Sequence, residues 1–303
     1  MLKINMHKTA LGAALIAAAF PAALAAQSAK PAPAAKAAVT RAAPAARPAP
    51  VTIACPVGGK EFEFQPPGRA PVAGSRPDGK PYSAAAAPAP LPECPDNGLV
   101  LFKEYSAEEA ARLEPLIASD AYKALLKADT SYYRAQWLMR EMGAEPQDYL
   151  FVLLQAAWQA DRKPELRARY LAQFADETAK LEAKPDDLNW LGMEGRAVNA
   201  LRELGRFDEA AARLDKLPLE ALAVRDPKKP DKARQAWRDY FALLRAAIER
   251  KDASSEPADM IPSRIAARRC GKEGLGEHDK AFCDRLAAEE LKKVAAPREQ
   301  SGR

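Results

Sequence analysis

The stretch Leu201-Arg-Glu-Leu-Gly205-Arg-Phe207-Asp-Glu-Ala210-Ala-Ala-Arg-Leu214 decides the fold. Leu201 and Leu204 end one apolar stripe, and Phe207, Ala210, Ala211 and Leu214 begin another at helical spacing. Gly205 lies between them, where a helix ends and the chain reverses. Two helices joined by so short a turn must lie against each other.

The same period extends outward on both sides. Residues 187–204 carry Leu188, Leu191, Ala197, Leu201 and Leu204, and residues 164–182 carry Leu166, Tyr170, Leu171, Phe174 and Leu181. The run 149–160 is apolar on nearly all sides, which predicts a central helix. Upstream, Ser106-Ala-Glu-Glu109 is a capping box, Ser119 or Asp120 caps a short helix, Thr130 starts a third ending at Gly143, and Pro146 suits a first turn. Downstream, Trp237, Phe241, Leu244 and Ile248 mark a helix over 231–250. The pattern predicts a mainly α fold, an array of antiparallel α-hairpins over 105–250. The aromatic positions Tyr133, Trp137, Tyr149, Trp158, Trp190 and Trp237 are read as core.

Leu201, Gly205, Phe207, Ala210 and Leu214 resemble the centre of a tetratricopeptide repeat. The match is specific over these residues and architectural over 105–250. Val198 stands where the family has a small residue, Pro218 arrives early, and Asp161-Arg-Lys-Pro164 replaces the glycine turn in the preceding pair. The resemblance implies a concave surface that takes a protein or peptide partner, without naming its lining residues.

Residues 51–104 are of another kind. Two short strands are expected at 51–55 and 60–64, a long loop over 65–92, and a third strand at 99–102. The turns Cys55-Pro-Val-Gly58-Gly59 and Cys94-Pro-Asp-Asn97-Gly98 are alike. Each resembles half of a zinc-ribbon or rubredoxin-like knuckle whose second cysteine is replaced, here by Gly58 and Asn97, and the order of knuckles followed by helical repeats is similar to that of some uncharacterised bacterial proteins. Four ligands are needed to close a structural zinc site. Cys55 and Cys94 are therefore expected to form a disulfide, with a metal held by the two as the alternative. Residues 251–303 read as a linker and a last helix, with a second disulfide expected between Cys270 and Cys283 and a metal site with His278 as its rival.

Residues 1–25 read as a cleavable secretory signal: Lys3 and Lys8 precede a short apolar run, Pro21 and the small end Ala23-Leu24-Ala25. Residues 26–50 are an Ala/Pro spacer with five prolines, expected to be disordered. No later run reaches the length of a membrane span. The Ala/Pro-heavy composition suggests a bacterium, so the periplasm or the exterior is the expected location. The net charge of +5 is an effect of the leader. Six of the 46 bases and none of the 41 acids lie in residues 1–50, which leaves residues 51–303 near −1 and argues against a nucleic-acid partner.

No hydrolase elbow, zinc-protease helix, Walker loop or dinucleotide fingerprint occurs, and no cofactor is implied. The reading is an exported helical-repeat protein acting as an interaction or scaffold module. The alternatives are a cell-envelope carbohydrate hydrolase using surface carboxylates and a vestigial metal-binding module.

Overall fold

The computed structural model describes residues 48–223, 231–270 and 275–295. The expected signal, most of the spacer and the end of the chain lie outside the described residues. The protein is mainly helical, with small two-stranded antiparallel sheets on its N-terminal side.

Strands β1 (Val51–Ala54) and β2 (Glu61–Phe64) pair antiparallel, with Ile53 opposite Phe62. The run expected to be a loop holds a second hairpin, β3 (Val72–Ser75) and β4 (Pro81–Ser83). Its strands carry no alternating apolar pattern, which is why periodicity misses them. The turn between them is built by side chains instead: Asp78 accepts from the Arg76 guanidinium and from the Lys80 amide at 3.0 Å. The strand expected at 99–102 is replaced by a single bridge between Glu93 and Val100. Leu99 and Val100 are apolar because they lie buried beneath helices, not because they extend a sheet.

The helices are α1 (Ala107–Ala118), α2 (Asp120–Ala128), α3 (Ser131–Glu141), α4 (Pro146–Gln159), α5 (Pro164–Thr178), α6 (Leu188–Glu203), α7 (Phe207–Leu214), α8 (Lys232–Glu249), α9 (Ser263–Ala267) and α10 (Glu277–Ala295). Their starts are chemical. Ser106 and Glu109 form the capping box of α1; Ser119, Thr130, Asp187 and Asp231 accept first-turn amides; prolines open α4 and α5. From α3 to α7 each helix packs on the next, and α8 closes on both α6 and α7. Gly205, with φ of 73°, turns the chain from α6 into α7 in a backbone region where a side chain is strained.

Two cores merge. The larger lies among α4–α8 and includes Leu153, Leu154, Tyr170, Phe174, Leu191, Leu201, Phe241 and Leu244. The smaller gathers Leu113, Tyr122, Ala135 and Leu138 around Cys55 and Cys94. Leu91 and Val152 touch both. The most enclosed helix is α6 rather than α4: its residues Trp190–Gly195 and Ala197–Arg202 are buried, while Phe151 of α4 remains 40% exposed. Polar residues hide this in the sequence. Asn199 and Arg202 are fully buried because they bond each other, with Asn199 Oδ1 accepting at 2.8 and 3.1 Å. The glycines Gly192 and Gly195 supply the close approach of α8 to α6. A Cβ on Gly192 would meet Trp237 at 2.6 Å, and one on Gly195 would meet Phe241 at 3.0 Å.

Candidate functional site

A groove of about 850 Å³ opens across the helical body. Helix α4 contributes Gln147, Asp148, Phe151 and Val152; α6 contributes Leu188, Asn189, Met193 and Arg196; α8 adds Ala233 and Trp237, and Met139 of α3 closes one end. Three alternate helices therefore present one face each. Its floor is apolar and thioether-rich, a surface that adapts to different side chains. Phe151 meets Trp158 edge to face, with ring centres 6.0 Å apart. The side-chain amides of Gln147 and Asn189 make no hydrogen bond to described residues, so each has a donor and an acceptor to offer. Trp237, read from the sequence as core, is half-buried and forms one wall.

Among the described residues the groove holds two charges. Asp148 lies exposed in the first turn of α4, where a helix N-terminus favours an anion. Arg196 is stacked on Trp237, its guanidinium carbon 5.3 Å from the ring centre. It donates to the Gly192 carbonyl at 2.8 Å, and its buried Nε has no hydrogen-bond partner among the described residues.

A second feature lies at the β3–β4 turn, an ion cluster of three cations and three anions. Asp161, in the α4–α5 turn, accepts from Lys80 at 2.7 Å, Arg167 at 2.8 Å and Arg76 at 2.9 Å. Asp78 pairs with Arg76 at 2.6 Å and Arg167 at 3.1 Å; Arg167 also reaches Glu203 at 2.6 Å. Burial pulls the Asp161 carboxyl up, but Lys80, Arg76 and Arg167 outweigh it and hold it below the usual carboxylate range. Burial pushes the Glu203 carboxyl up against the pull of Arg167. Its side chain is 4% exposed, sealed beneath Arg167 and Asn199. The cluster clips the hairpin to the helices. Nearby, Tyr82, Lys80, Asp161, Glu256 and Arg268 line a cavity of about 560 Å³, in which the Tyr82 hydroxyl donates to Glu256 at 2.9 Å. Asp161 is ionised and tied there, and so a poor proton donor for glycoside cleavage.

The two cysteine turns have the same hydrogen bonds. The Cys55 amide donates to the Lys60 carbonyl and the Gly59 amide to the Cys55 carbonyl; Cys94, Leu99 and Gly98 repeat the pattern. The turns face each other, and Asn97 bridges them by donating to the Val57 carbonyl at 3.0 Å. Cys55 is bonded to Cys94, and Cys270 to Cys283. In these bonds no sulfur is a thiolate that could ligate a metal. His278 is set 3.3 Å from Asp259. Among the described residues no group of three or more His, Cys, Asp or Glu side chains is placed to hold a metal ion. No helix of the described residues is long and apolar enough to cross a membrane.

Of the residues singled out by the repeat motif, Ala210, Leu214 and Leu201 are buried in the main core, Phe207 packs against it and Gly205 forms the turn; none lines the groove. Periodicity could not find Phe151 as a site residue, because α4 is apolar all round. Arg196 and Asn189 carry no motif. No family model matches the chain, and no curated protein or solved structure matches it significantly.

Proposed function

We propose that this is an exported, tetratricopeptide-like interaction protein of the periplasm or exterior, which docks a polypeptide segment of a partner in the groove between α4, α6 and α8. The observation that carries the reading is the groove itself: an apolar floor with an exposed Phe151, flanked by the Gln147 and Asn189 amides, which have no hydrogen-bond partner among the described residues. Apolar side chains of a partner would cover the floor, and its main-chain amide groups would match the two side-chain amides. Two disulfides suit an oxidising compartment. The surface-carboxylate hydrolase gains no comparable support, since Asp161 is locked in ion pairs and Glu203 is sealed.

The test is binding of peptide ligands to the purified chain and to Phe151→Ser. Phe151 is partly exposed, so the change should leave the fold intact by circular dichroism while peptide affinity falls about tenfold, the effect of losing one apolar anchor. Equal affinity in both proteins would remove the groove from the reading.

A further inference from the structure

Several arginines lodged in the protein body share a habit from which Arg196 departs, as does Arg202, which carbonyls and Asn199 hold instead. Arg76, Arg134, Arg167 and Arg213 each have a carboxylate oxygen within 2.9 Å. Arg196 has none within 4.0 Å among the described residues, although it is set between the β3–β4 turn and Trp237. A Cβ on Gly79 would come within 2.9 Å of its Nε, so that side of the guanidinium is walled off. Its one hydrogen bond goes to the Gly192 carbonyl. Arg196 also lines the groove. A guanidinium stacked on an indole keeps its in-plane N–H groups free for a carboxylate fork.

On the strength of the docking reading above, we infer that the groove selects a polypeptide segment that places a carboxylate on Arg196 and an apolar side chain beside it, against Trp237 and Met193. Asp148 gives the opposite charge at the α4 side of the same groove. The occupant is therefore oriented, with its acid toward α6 and α8 and any basic residue toward α4. A nucleic-acid strand does not fit this pattern. Its phosphates need several cations in a row, whereas among the described residues this groove offers one cation beside an anion and an apolar floor.

The experiment screens a phage-displayed random-peptide library against the purified full chain. The best peptide is then synthesised in two forms, one with its Asp or Glu and one with the matching Asn or Gln. Both are titrated against the native chain, Arg196→Gln, Arg196→Lys and Phe151→Ser. The expected library outcome is an Asp or Glu at a constant distance from a bulky apolar residue. Changing that acid to its amide should weaken binding to the native chain about tenfold and leave binding to Arg196→Gln unchanged, since the charge-assisted bond is already gone. Arg196→Lys should keep the preference for the acid, which preserves the test if the glutamine variant unfolds. Arg196 is not the selector if peptides bind in a Phe151-dependent way with no acidic position, or if the acid-to-amide change costs the same in the native and Arg196→Gln proteins; the docking reading then stands. If no Phe151-dependent peptide is recovered, or cell-wall oligosaccharides bind in a Phe151-dependent way in place of peptides, both statements fall.

Discussion

Arg202 has no exposed surface, and it is held by Asn199 Oδ1, the Asp252 carbonyl and the Ser254 carbonyl at 2.8 Å. The nearest carboxylate, Asp252, stands 4.0 Å away. Burial accordingly lowers the affinity of this guanidinium for its proton, with Glu203 and Asp252 opposing. Its role is to tie α6 to the segment after α8. Arg202→Ala would strand two carbonyls and an amide oxygen in the interior, at a cost of about 3 kcal/mol, read as a lower urea midpoint. Asp161 has a pH signature. Because its folded-state pKa lies below that of the unfolded chain, its contribution is complete above the unfolded value of about 4 and is lost as pH falls through the folded one. Urea midpoints measured from neutral pH down into acid should fall less steeply for Asp161→Asn than for the native chain. Parallel curves would show that Asp161 does not contribute to acid sensitivity.

At the level of elements, the close packing of α6 on α8 rests on missing side chains. Gly192→Ala gains helix propensity of about 1 kcal/mol but places a methyl 2.6 Å from the Trp237 ring. Overpacking of this kind costs about 1–3 kcal/mol, so the net effect should be destabilising by up to about 2 kcal/mol. Trp237 forms a wall of the groove, so indole fluorescence should change in the same variant. An unchanged melting curve and spectrum would argue that α8 is free to shift. The helices were legible from the sequence because caps and a 3.6-residue period are local signals: the Ser106–Glu109 box, Pro146 and Pro164 at helix starts, and Gly205 at the turn all mark real boundaries. The hairpin β3–β4 was not legible, because its order comes from Asp78 and from Asp161, which is distant in sequence. The groove was illegible for a related reason. Periodicity marks which residues face a helix neighbour, but not which neighbour leaves a gap, and Phe151 and Leu150 are alike in sequence although only one is buried.

At the scale of the whole molecule, the described residues carry two covalent crosslinks, one before the helical body and one after it. Cys55–Cys94 encloses a separation of 39 residues in a region whose regular structure is two short hairpins, and loop-closure entropy makes it worth about 3–4 kcal/mol. The double variant Cys55→Ser/Cys94→Ser should lose that amount by urea unfolding. A loss below about 1 kcal/mol would mean that the matched turn hydrogen bonds and Asn97 already hold the region. Cys270–Cys283 spans 13 residues and joins α9 to α10. Neither crosslink falls among α4, α6 and α8, which supply all the groove residues except Met139. The groove is thereby insulated from the thiol–disulfide balance around it. A reductant would loosen the segments around Cys55–Cys94 and Cys270–Cys283 and leave the groove standing, so its shape would not require that either bond has formed.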